Sequence, residues 1–350
     1  MNKIRYAEKN FLCDYDLSLE FFNELGININ DISPLRNVFV MSTDNGNKIL
    51  KKTEYDEEKL ILINECLQYI KNNYNNIISY NKFKNGLTYK KWKGELYVVM
   101  DILDGREACF TNPLEIKLCA ENVALMHKAS KGLREVLQSE QNKDLLDESL
   151  ENKFQRAYDE LTFFKELVRN YKYKNEFDNL FITHVDKYLS DIINVKASLS
   201  KSKYKDLRAD GETVALCHND LAYHNFLIKK EEVNIIDFDF LTLDLRVLDI
   251  GDFILKCIKN SAFDIDKMLL AIDSYEKVTP LKREEKEILY ILLAFPKDFY
   301  IISRDYYYKR KRWEYEVYLN RFKSKLNNEQ FRKDFLEVYK RLIDIKEIEI

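Results

Sequence analysis

The segment VALCHNDLAYHNFLIKKEEVNIIDFDF, residues 214–240, constrains the fold of this chain more than any other stretch. His218, Asp220 and Asn225 stand between two apolar, strand-like runs, and Asp237 follows the second run. Such residues can be ordinary turn formers, because Asp and Asn side chains favour turns. Their joint spacing between apolar runs favours a site for metal and phosphate instead.

The composition is typical of a soluble globular protein with two domains or one large bilobal unit. The chain has 350 residues, of which 46% are hydrophobic and 33% are charged. A formal net charge of −3 argues against a nucleic-acid partner, because phosphate neutralisation needs a clustered basic excess. The basic run at 309–312 is interpreted as a solvated helix face.

Cysteine usage and hydropathy indicate an intracellular protein. The six cysteines are scattered without zinc-site spacing, so they are expected to be reduced thiols. Residues 1–16 carry charges and lack an apolar core, so no signal peptide is predicted. No apolar run approaches the roughly 20 residues that span a bilayer, so no membrane partner is expected.

Residues 1–102 are predicted to form a small lobe with an antiparallel sheet and one helix. Asp44-Asn45-Gly46 lies between two strand-like runs and predicts a hairpin, because Asn-Gly tolerates the positive φ of tight turns. The predicted elements of this lobe are strands at 37–43 and 47–53, a helix at 56–72, and strands at 86–92 and 95–103.

Residues 103–350 are predicted to form a large, mostly helical lobe. Asn112 and Pro113 mark the start of one helix, since Asn is a favoured N-cap and Pro is tolerated in the first turn. Further helical patterns are predicted at 144–170, at 174–200 and from about 248 onward.

The residue types of 214–240 suit phosphoryl transfer. That reaction needs a carboxylate beside the acceptor hydroxyl, metal ligands on the nucleotide phosphates and a lysine. Asp220 is the candidate base. Asn225 and Asp237 are candidate ligands of Mg²⁺, which prefers oxygen donors and takes only one or two protein carboxylates. The strands between Asn225 and Asp237 are expected to form a hairpin that brings these two residues together.

The order of motifs also resembles a known family. HNDLAYHN at 218–225 followed by IIDFD at 235–239 resembles the H-x-D-x-x-x-x-N and I-D pattern of the aminoglycoside phosphotransferase and choline kinase superfamily. The rest of the chain resembles one branch, the CotS-like spore coat proteins. The segments that carry this likeness are KILKK (48–52), YVVMDILDGREACF (97–110), LMHKAS (125–130) and LLAFPKDFYIISRDYYYKRKRWE (292–314).

The resemblance implies an α+β, bilobal protein-kinase-like fold with the site in the cleft between the lobes. It implies ATP, or another nucleoside triphosphate, and Mg²⁺ as cofactors, with a small hydroxylated molecule as phosphoryl acceptor. It implies Asp220 as catalytic base and Asn225 and Asp237 as metal ligands. It also implies synthesis in the cytoplasm of the mother cell, assembly into the spore coat and other coat proteins as partners.

The same resemblance implies a nucleotide-binding role for residues of the first lobe. Lys51 lies where the family's phosphate-pairing lysine belongs, and alternation along a strand would point Lys52 to the opposite face. Glu65 is expected to form the ion pair with Lys51, with Glu58 as the alternative. The hinge that meets the adenine is expected at 100–103 and includes the backbone of Met100 and Ile102.

Other residues are expected to support the site. His218 would shape the catalytic loop, Asp239 would be an accessory metal ligand, and Asp249 would brace the loop. The remaining histidines, at 127, 184 and 224, are expected to be ordinary core or surface residues. The aromatic segment 295–313 is interpreted as core packing rather than as a surface for a cationic acceptor.

One departure from the family pattern favours an alternative function. Pro34–Val38, where a phosphate-covering loop belongs, contains no glycine. Side chains there keep phosphates further from the backbone N–H groups. The alternative is a catalytically weak or inactive kinase-fold scaffold used in spore coat assembly.

Overall fold

The computed structural model describes residues 17–36, 38–141 and 147–345, which form two compact units. The first unit contains the described residues up to Ala108 together with His224–Asp239. The second contains Cys109–Tyr223 and the described residues from Phe240 onward. The predictions made for residues 1–16, including the reduced state of Cys13, lie outside the described residues.

The described elements are ten strands, thirteen α-helices and one short 3₁₀ helix, Tyr223–Asn225. The strands are β1 Ile29–Leu35, β2 Val38–Thr43, β3 Gly46–Lys52, β4 Lys90–Trp92, β5 Glu95–Asp101, β6 Arg106–Glu107, β7 Val214–Cys217, β8 Phe226–Lys229, β9 Glu232–Ile235 and β10 Thr242–Leu245. The helices are α1 Leu19–Leu25, α2 Glu57–Lys71, α3 Pro113–Ala129, α4 Leu133–Gln141, α5 Leu150–Arg169, α6 Glu176–Lys201, α7 Tyr204–Ala209, α8 Arg246–Ile258, α9 Ile265–Glu276, α10 Arg283–Ala294, α11 Lys297–Tyr307, α12 Tyr315–Asn327 and α13 Glu329–Ile345.

The first unit is built on a five-stranded antiparallel sheet in the order β1-β2-β3-β5-β4. The predicted turn joins β2 to β3, and Gly46 there has a φ of +92°, which glycine adopts without strain. Phe21 of α1 packs against the sheet with Phe39, Leu50 and Trp92 in one buried cluster. Strand β3, which carries the candidate lysine, therefore lies in the middle of a packed sheet.

Strand β1 is the element of this sheet that the hydrophobic pattern did not predict. Its sequence INDISPL contains Asn30, Asp31 and Pro34, which are depleted in strands. Pairing with β2 overrides that low propensity, and a register irregularity lies between Ile29 and Asp31. The strand predicted at 86–92 is also shorter, because only Lys90–Trp92 pairs with β5.

A smaller three-stranded sheet, in the order β6-β8-β9, completes the first unit. Ile235 of β9 also forms a bridge with Ile77, and the Ala108 N–H donates to the carbonyl of Phe226 at 3.0 Å. These backbone bonds tie the segment 224–239 to the N-terminal part of the chain. The first unit thus extends past residue 102 and includes the hairpin of β8 and β9, which lies beyond the predicted boundary between the lobes.

The second unit is mostly helical, with a two-stranded sheet of β7 and β10. Helix α3 begins as predicted, with the side chain of Asn112 as N-cap and Pro113 at the first turn. Among the described residues, no helix is both long enough and apolar enough to cross a membrane.

The aromatic segment lies mainly in the core of the second unit, as predicted. Phe299 stacks on Tyr188 with 3.8 Å between ring centroids, and Tyr306 stacks on Phe177 at 3.9 Å. The basic run 309–312 is exposed, but it follows the end of α11. The expectation of a solvated helix face was therefore right about exposure and wrong about the helix, which ends at Tyr307.

Candidate functional site

Lys51 is the centre of a charged cluster in the first unit. Its ammonium lies 2.6 Å from the carboxylate of Asp237 and 2.8 Å from that of Asp239. Burial opposes the charged form of Lys51, but the charges of Asp239 and Asp237 outweigh it and raise the pKa of the ammonium. Lys51 is therefore a fixed cation between two carboxylates.

Asp239 is the more buried of the two carboxylates, with its side chain 20% exposed against 39% for Asp237. It also accepts a hydrogen bond from the Tyr55 hydroxyl at 3.3 Å, and Tyr55 contacts the hydroxyl of Tyr80. Burial raises the pKa of Asp239 and outweighs the opposing effect of Lys51. These contacts give Asp239 a defined position beside Lys51.

The predicted partners of Lys51 differ from those in the structure. Among the described residues, its ion pairs are with Asp237 and Asp239, and neither Glu65 nor Glu58 of α2 takes part. The reason is local: both carboxylates that follow β9 lie within bonding distance of the ammonium. Lys52 points the other way, as strand alternation predicts, and its ammonium pairs with Glu95 at 3.0 Å.

The hairpin of β8 and β9 connects Asn225 to Asp237 as expected from the sequence. Asn225 immediately precedes β8 and is buried, while Asp237 follows β9 with a φ of +68°. The Ile236 N–H donates to the carbonyl of Asn225 at 3.0 Å. The antiparallel pairing of Phe226 with Ile235 fixes this register. The two candidate metal ligands are therefore adjacent in the fold.

The donor set of this region fits a magnesium ion. Asn225 offers an amide oxygen, and Asp237 and Asp239 offer carboxylate oxygens, which are hard donors of the kind that Mg²⁺ prefers. Because one ammonium contacts both carboxylates, the two acidic groups face the same small volume. Lys51 would place a second positive charge beside an ion held by these groups.

The predicted hinge lies at the end of β5. Met100 is a buried residue of this strand; it pairs with Ile49 of β3 and forms a bridge with Tyr80. Ile102 follows the end of the strand and is 41% exposed. The structure therefore divides the predicted hinge into a buried strand residue and an exposed residue just beyond it.

The loop of the second unit that carries Asp220 is held by His218. Its imidazole Nδ1 accepts the backbone N–H of Asp220 at 3.2 Å, and the ring is buried. An imidazole used in this way fixes the backbone on which Asp220 is carried. The geometry agrees with a loop-shaping role for His218.

Asp249 binds the backbone of the same loop. Its carboxylate accepts the backbone N–H groups of His218 at 2.9 Å and Asn219 at 2.8 Å, and it contacts the ring of His127 at 3.0 Å. Burial alone would raise the pKa of Asp249, but the hydrogen bonds from His127 and from the His218 backbone N–H, with the electrostatic interaction of these residues, outweigh it and lower the pKa. His127 was expected to be an ordinary core or surface residue. It belongs instead to the hydrogen-bonded group of His127, His218, Asn219 and Asp249, which is called the brace below.

The brace also contains a group of potential metal ligands. Ligand atoms of His127, Cys217 and Asp249 lie within 4.8 Å of one another, and all three residues are buried. Burial raises the pKa of the Cys217 thiol well above its usual value, which disfavours the thiolate that metals bind. The other nitrogen of His127 contacts the Tyr275 hydroxyl at 2.7 Å. Hydrogen bonds, rather than a metal, account for this cluster.

Sequence reasoning missed the partner of Asp220. The ammonium of Lys256, on α8, lies 2.7 Å from the Asp220 carboxylate. Burial opposes the charge of Lys256, but Asp252 and Asp220 outweigh it and raise the pKa. Asp252 in turn accepts the Leu221 N–H at 3.2 Å. The only available signal was the DIGD motif at 249–252 with a lysine one helical turn beyond it.

The turn between β1 and β2 stands where a phosphate-covering loop was expected. Arg36 there has a φ of +54°, and its guanidinium pairs with Glu107 at 2.6 Å. Asn37, the next residue, lies outside the described residues. Positive φ at a non-glycine residue shows that the turn is tight despite the absence of glycine.

Comparisons with known proteins identify the fold and the family of the chain. The chain is 25% identical over 326 residues to Spore coat protein S of Bacillus subtilis (strain 168), covering 88% of this chain and 89% of that protein. An aminoglycoside phosphotransferase from Alicyclobacillus acidocaldarius has the same fold, with a TM-score of 0.78 and 17% identity over 97% of this chain and 96% of that one. Amicoumacin kinase hAmiN, solved with AMP-PNP and Ca²⁺, gives a TM-score of 0.62 and 13% identity over 94% and 96% of the two chains.

These likenesses confirm the predicted fold class. Choline kinases are also among the solved structures with this fold. The fold is kinase-like, with a small antiparallel sheet in the N-terminal region and a mostly helical C-terminal region. Residues 21–339 match the family described as "Spore coat putative kinase YutH". The chain belongs to that family of kinase-like spore coat proteins.

Proposed function

We propose that the chain is an ATP- and Mg²⁺-dependent phosphotransferase of the spore coat that acts on a small hydroxylated acceptor. The observation that carries the proposal is the placement of Lys51 between Asp237 and Asp239, at 2.6 and 2.8 Å. A lysine beside oxygen donors is the arrangement that phosphoryl transfer requires on the nucleotide side. AMP-PNP and Ca²⁺ in the related amicoumacin kinase support a nucleotide and a divalent metal as cofactors.

Each site residue has a distinct role in this proposal. Asn225 and Asp237 hold Mg²⁺, with Asp239 as an additional ligand, and the bound metal supplies charge stabilisation to the nucleotide phosphates. Lys51 binds phosphate oxygens. The backbone at Met100 and Ile102 meets the adenine. These groups stabilise charge that develops during transfer without themselves reacting.

Asp220 is the proposed catalytic base. Its carboxylate accepts or orients the proton of the acceptor hydroxyl, so that the oxygen can attack the transferring phosphorus. His218 and Asp249 keep the backbone of this loop in place through the hydrogen bonds described above. Lys256 fixes the direction in which the Asp220 carboxylate points.

The likeness to Spore coat protein S supports association with the spore coat. In this proposal the protein is made in the mother cell and contacts other coat proteins. A coat protein can also be an enzyme, so the location does not compete with the catalytic role.

A second function is a scaffold that keeps the kinase-like fold and catalyses little. The turn at Arg36 favours it, because its guanidinium is bound to Glu107 and no glycine opens the backbone toward phosphates. The scaffold differs from the enzyme in turnover, and a chain that nucleotide does not stabilise cannot be the enzyme.

A thermal-shift titration with Mg·ATP tests the proposal. A ligand that binds the native state raises the melting temperature, by an amount that grows with its concentration above Kd. The enzyme predicts a rise with Mg·ATP that is smaller with ATP and EDTA. No rise at millimolar Mg·ATP contradicts the enzyme and favours the scaffold.

A further inference from the structure

A cavity of about 170 Å³ lies within the second unit. One wall is helix α8, another is the first turn of α11, and the start of α13 contributes a third. Phe295, Pro296 and Phe299 give it largely apolar sides. An engineered cavity of roughly 150 Å³ holds a benzene-sized molecule, so this cavity fits a small organic group.

Charged side chains line this apolar cavity with an excess of positive charge. Five basic residues stand against three acidic ones: Lys256, Lys259, Lys297, Lys325 and Arg332, with Asp252, Asp298 and Glu329. Charges act more strongly in such a site than in water, because the apolar walls lower the local dielectric constant. The cavity is therefore electrostatically suited to an anion.

Lys259 is the basic residue that provides the unbalanced charge. The other four are paired with carboxylates: Lys256 with Asp220, Lys297 with Asp252, Lys325 with Asp298 and Arg332 with Glu329. Among the described residues, none of the ion pairs within 4.0 Å involves Lys259. Burial and then the charge of Lys256 lower its pKa. An anion at this position would relieve both effects.

The N-terminus of helix α11 faces the same cavity. Lys297, Asp298 and Phe299 form its first turn and line the space, and no side chain caps this helix of 11 residues. The Lys297 N–H donates to the Phe295 carbonyl at 2.7 Å, and the N-terminal end of a helix carries partial positive charge, which attracts anions. The helix end and Lys259 are thus two independent features that favour a negative group in one place.

The cavity adjoins the loop that carries the proposed base. Lys256 lies in the last turn of α8, and Lys259 is the C-cap of the helix with helical φ and ψ, so the two residues, three positions apart, share a face. Lys256 lines the cavity and also contacts the Asp220 carboxylate at 2.7 Å. Asp252, another lining residue, accepts the Leu221 N–H. Lys256 therefore links the lining of the cavity to the residue proposed as base.

We propose that this cavity binds the anionic group of the acceptor, with Lys259 as its main ligand. The acceptor is then a small hydroxylated carboxylate or phosphate ester rather than a cationic amine. The identification of the occupant as acceptor rests on the proposed phosphotransferase function. In the transfer, the bond between the γ-phosphorus and the bridging oxygen of ATP breaks and a bond to the acceptor oxygen forms. The hydroxyl proton passes to Asp220, and ADP leaves.

Isothermal titration calorimetry of the full chain without nucleotide tests this proposal. The probes are glycerate and glycerol phosphate, with glycerol and choline as neutral and cationic comparisons. We expect at least one anionic probe to bind, and glycerol and choline not to bind. If only glycerate or only glycerol phosphate binds, the anion is identified as carboxylate or phosphate ester. Binding of choline or glycerol as tight as that of the anions overturns the proposal.

Variants assign the binding to the cavity. Lys259→Gln should weaken the anionic probe about tenfold or more, because a charge-assisted contact is lost, whereas Lys259→Arg should retain it. Lys131→Gln is the matched control, since it removes a lysine of the same unit that is 65% exposed and pairs with Glu212. Equal affinity in Lys259→Gln and wild type, with both folded by circular dichroism, overturns the proposal.

The outcome is separable from that of the proposed function. A chain that binds the anion but not Mg·ATP supports the anionic cavity and contradicts the phosphotransferase. A chain that binds Mg·ATP but neither anionic probe contradicts the anionic cavity and leaves the phosphotransferase standing.

Discussion

The ammonium of Lys256 lies 2.7 Å from the carboxylate of Asp220, and both side chains are about a quarter exposed. A proposed catalytic base thus has a fixed partner on a helix that is distant in sequence. Because the pair is accessible to solvent, it contributes little to the free energy of unfolding. Its role is to orient the Asp220 carboxylate. Removing Lys256 should consequently affect turnover more than folding.

Lys256→Gln is expected to lower kcat for phosphoryl transfer by about ten- to a hundredfold, because a misplaced reacting group loses rate steeply. The Kd of Mg·ATP should not change. Lys256→Arg should restore part of the rate, since it keeps the charge beside Asp220. Steady-state kinetics and nucleotide titration check these values, and a wild-type kcat in Lys256→Gln would remove Lys256 from the mechanism.

Asp220→Asn is expected to keep Mg·ATP binding and to lower kcat by about 10²- to 10⁴-fold, the usual contribution of a positioned base. The substitution preserves size and removes the proton acceptor. Nucleotide affinity is measured by calorimetry and turnover by ADP formation. Turnover equal to wild type would rule out Asp220 as the base.

Asp237→Asn is expected to weaken Mg·ATP binding by about ten- to a hundredfold, because a charge-assisted contact is lost. Binding of ATP in EDTA should change little. Asp104→Asn is the control: it removes a carboxylate of the same unit that pairs with Lys229 and is 77% exposed. The assignment of Asp237 to the metal is wrong if the dependence of affinity on Mg²⁺ is the same in both variants.

Asp249→Asn is expected to lower the free energy of unfolding by about 2–4 kcal/mol, because a buried carboxylate that binds two backbone N–H groups is replaced. Urea denaturation at neutral pH measures this loss. Asp186→Asn is the control, since its side chain is 65% exposed and should cost less than about 1 kcal/mol. A loss no larger than that of the control contradicts the brace.

The same residue makes a prediction about pH. The pKa of Asp249 is lowered in the folded chain, so its contribution is fully present above the unfolded value of about 3.9. The contribution is lost as pH falls through the lower, folded value. The difference in unfolding free energy between wild type and Asp249→Asn should therefore shrink below about pH 4. If the difference grows on acidification, the pKa of Asp249 is not lowered in the folded chain, and the prediction is wrong.

The part of the site that the sequence predicted is the part carried by local motifs. The spacing around one hairpin was enough to predict Asp220, Asn225 and Asp237 as site residues. The position on a strand was enough to predict Lys51. Asp239 was identified for the same reason. The roles assigned to these residues remain predictions until they are measured.

The rest depends on packing between distant segments. Lys256 lies on an amphipathic helix, 36 positions after Asp220 in the sequence. A lysine on such a helix is predicted to be solvated. His127, on α3, contacts Asp249, on α8, because these two helices pack together. Strand β1 formed despite its low propensity because β2 offered a partner edge. None of these relationships has a signature within one stretch of sequence.

ADP formation from Mg·ATP tests the central claim most directly. The full chain is supplied with a pool of small hydroxylated molecules that includes carboxylates, phosphate esters, neutral polyols and amino alcohols, and ADP is measured with and without Mg²⁺. The account predicts Mg²⁺-dependent ADP formation by wild type that falls by about 10²-fold or more in Asp220→Asn. Mg·ATP binding without ADP formation, or equal ADP formation in both chains, would contradict it.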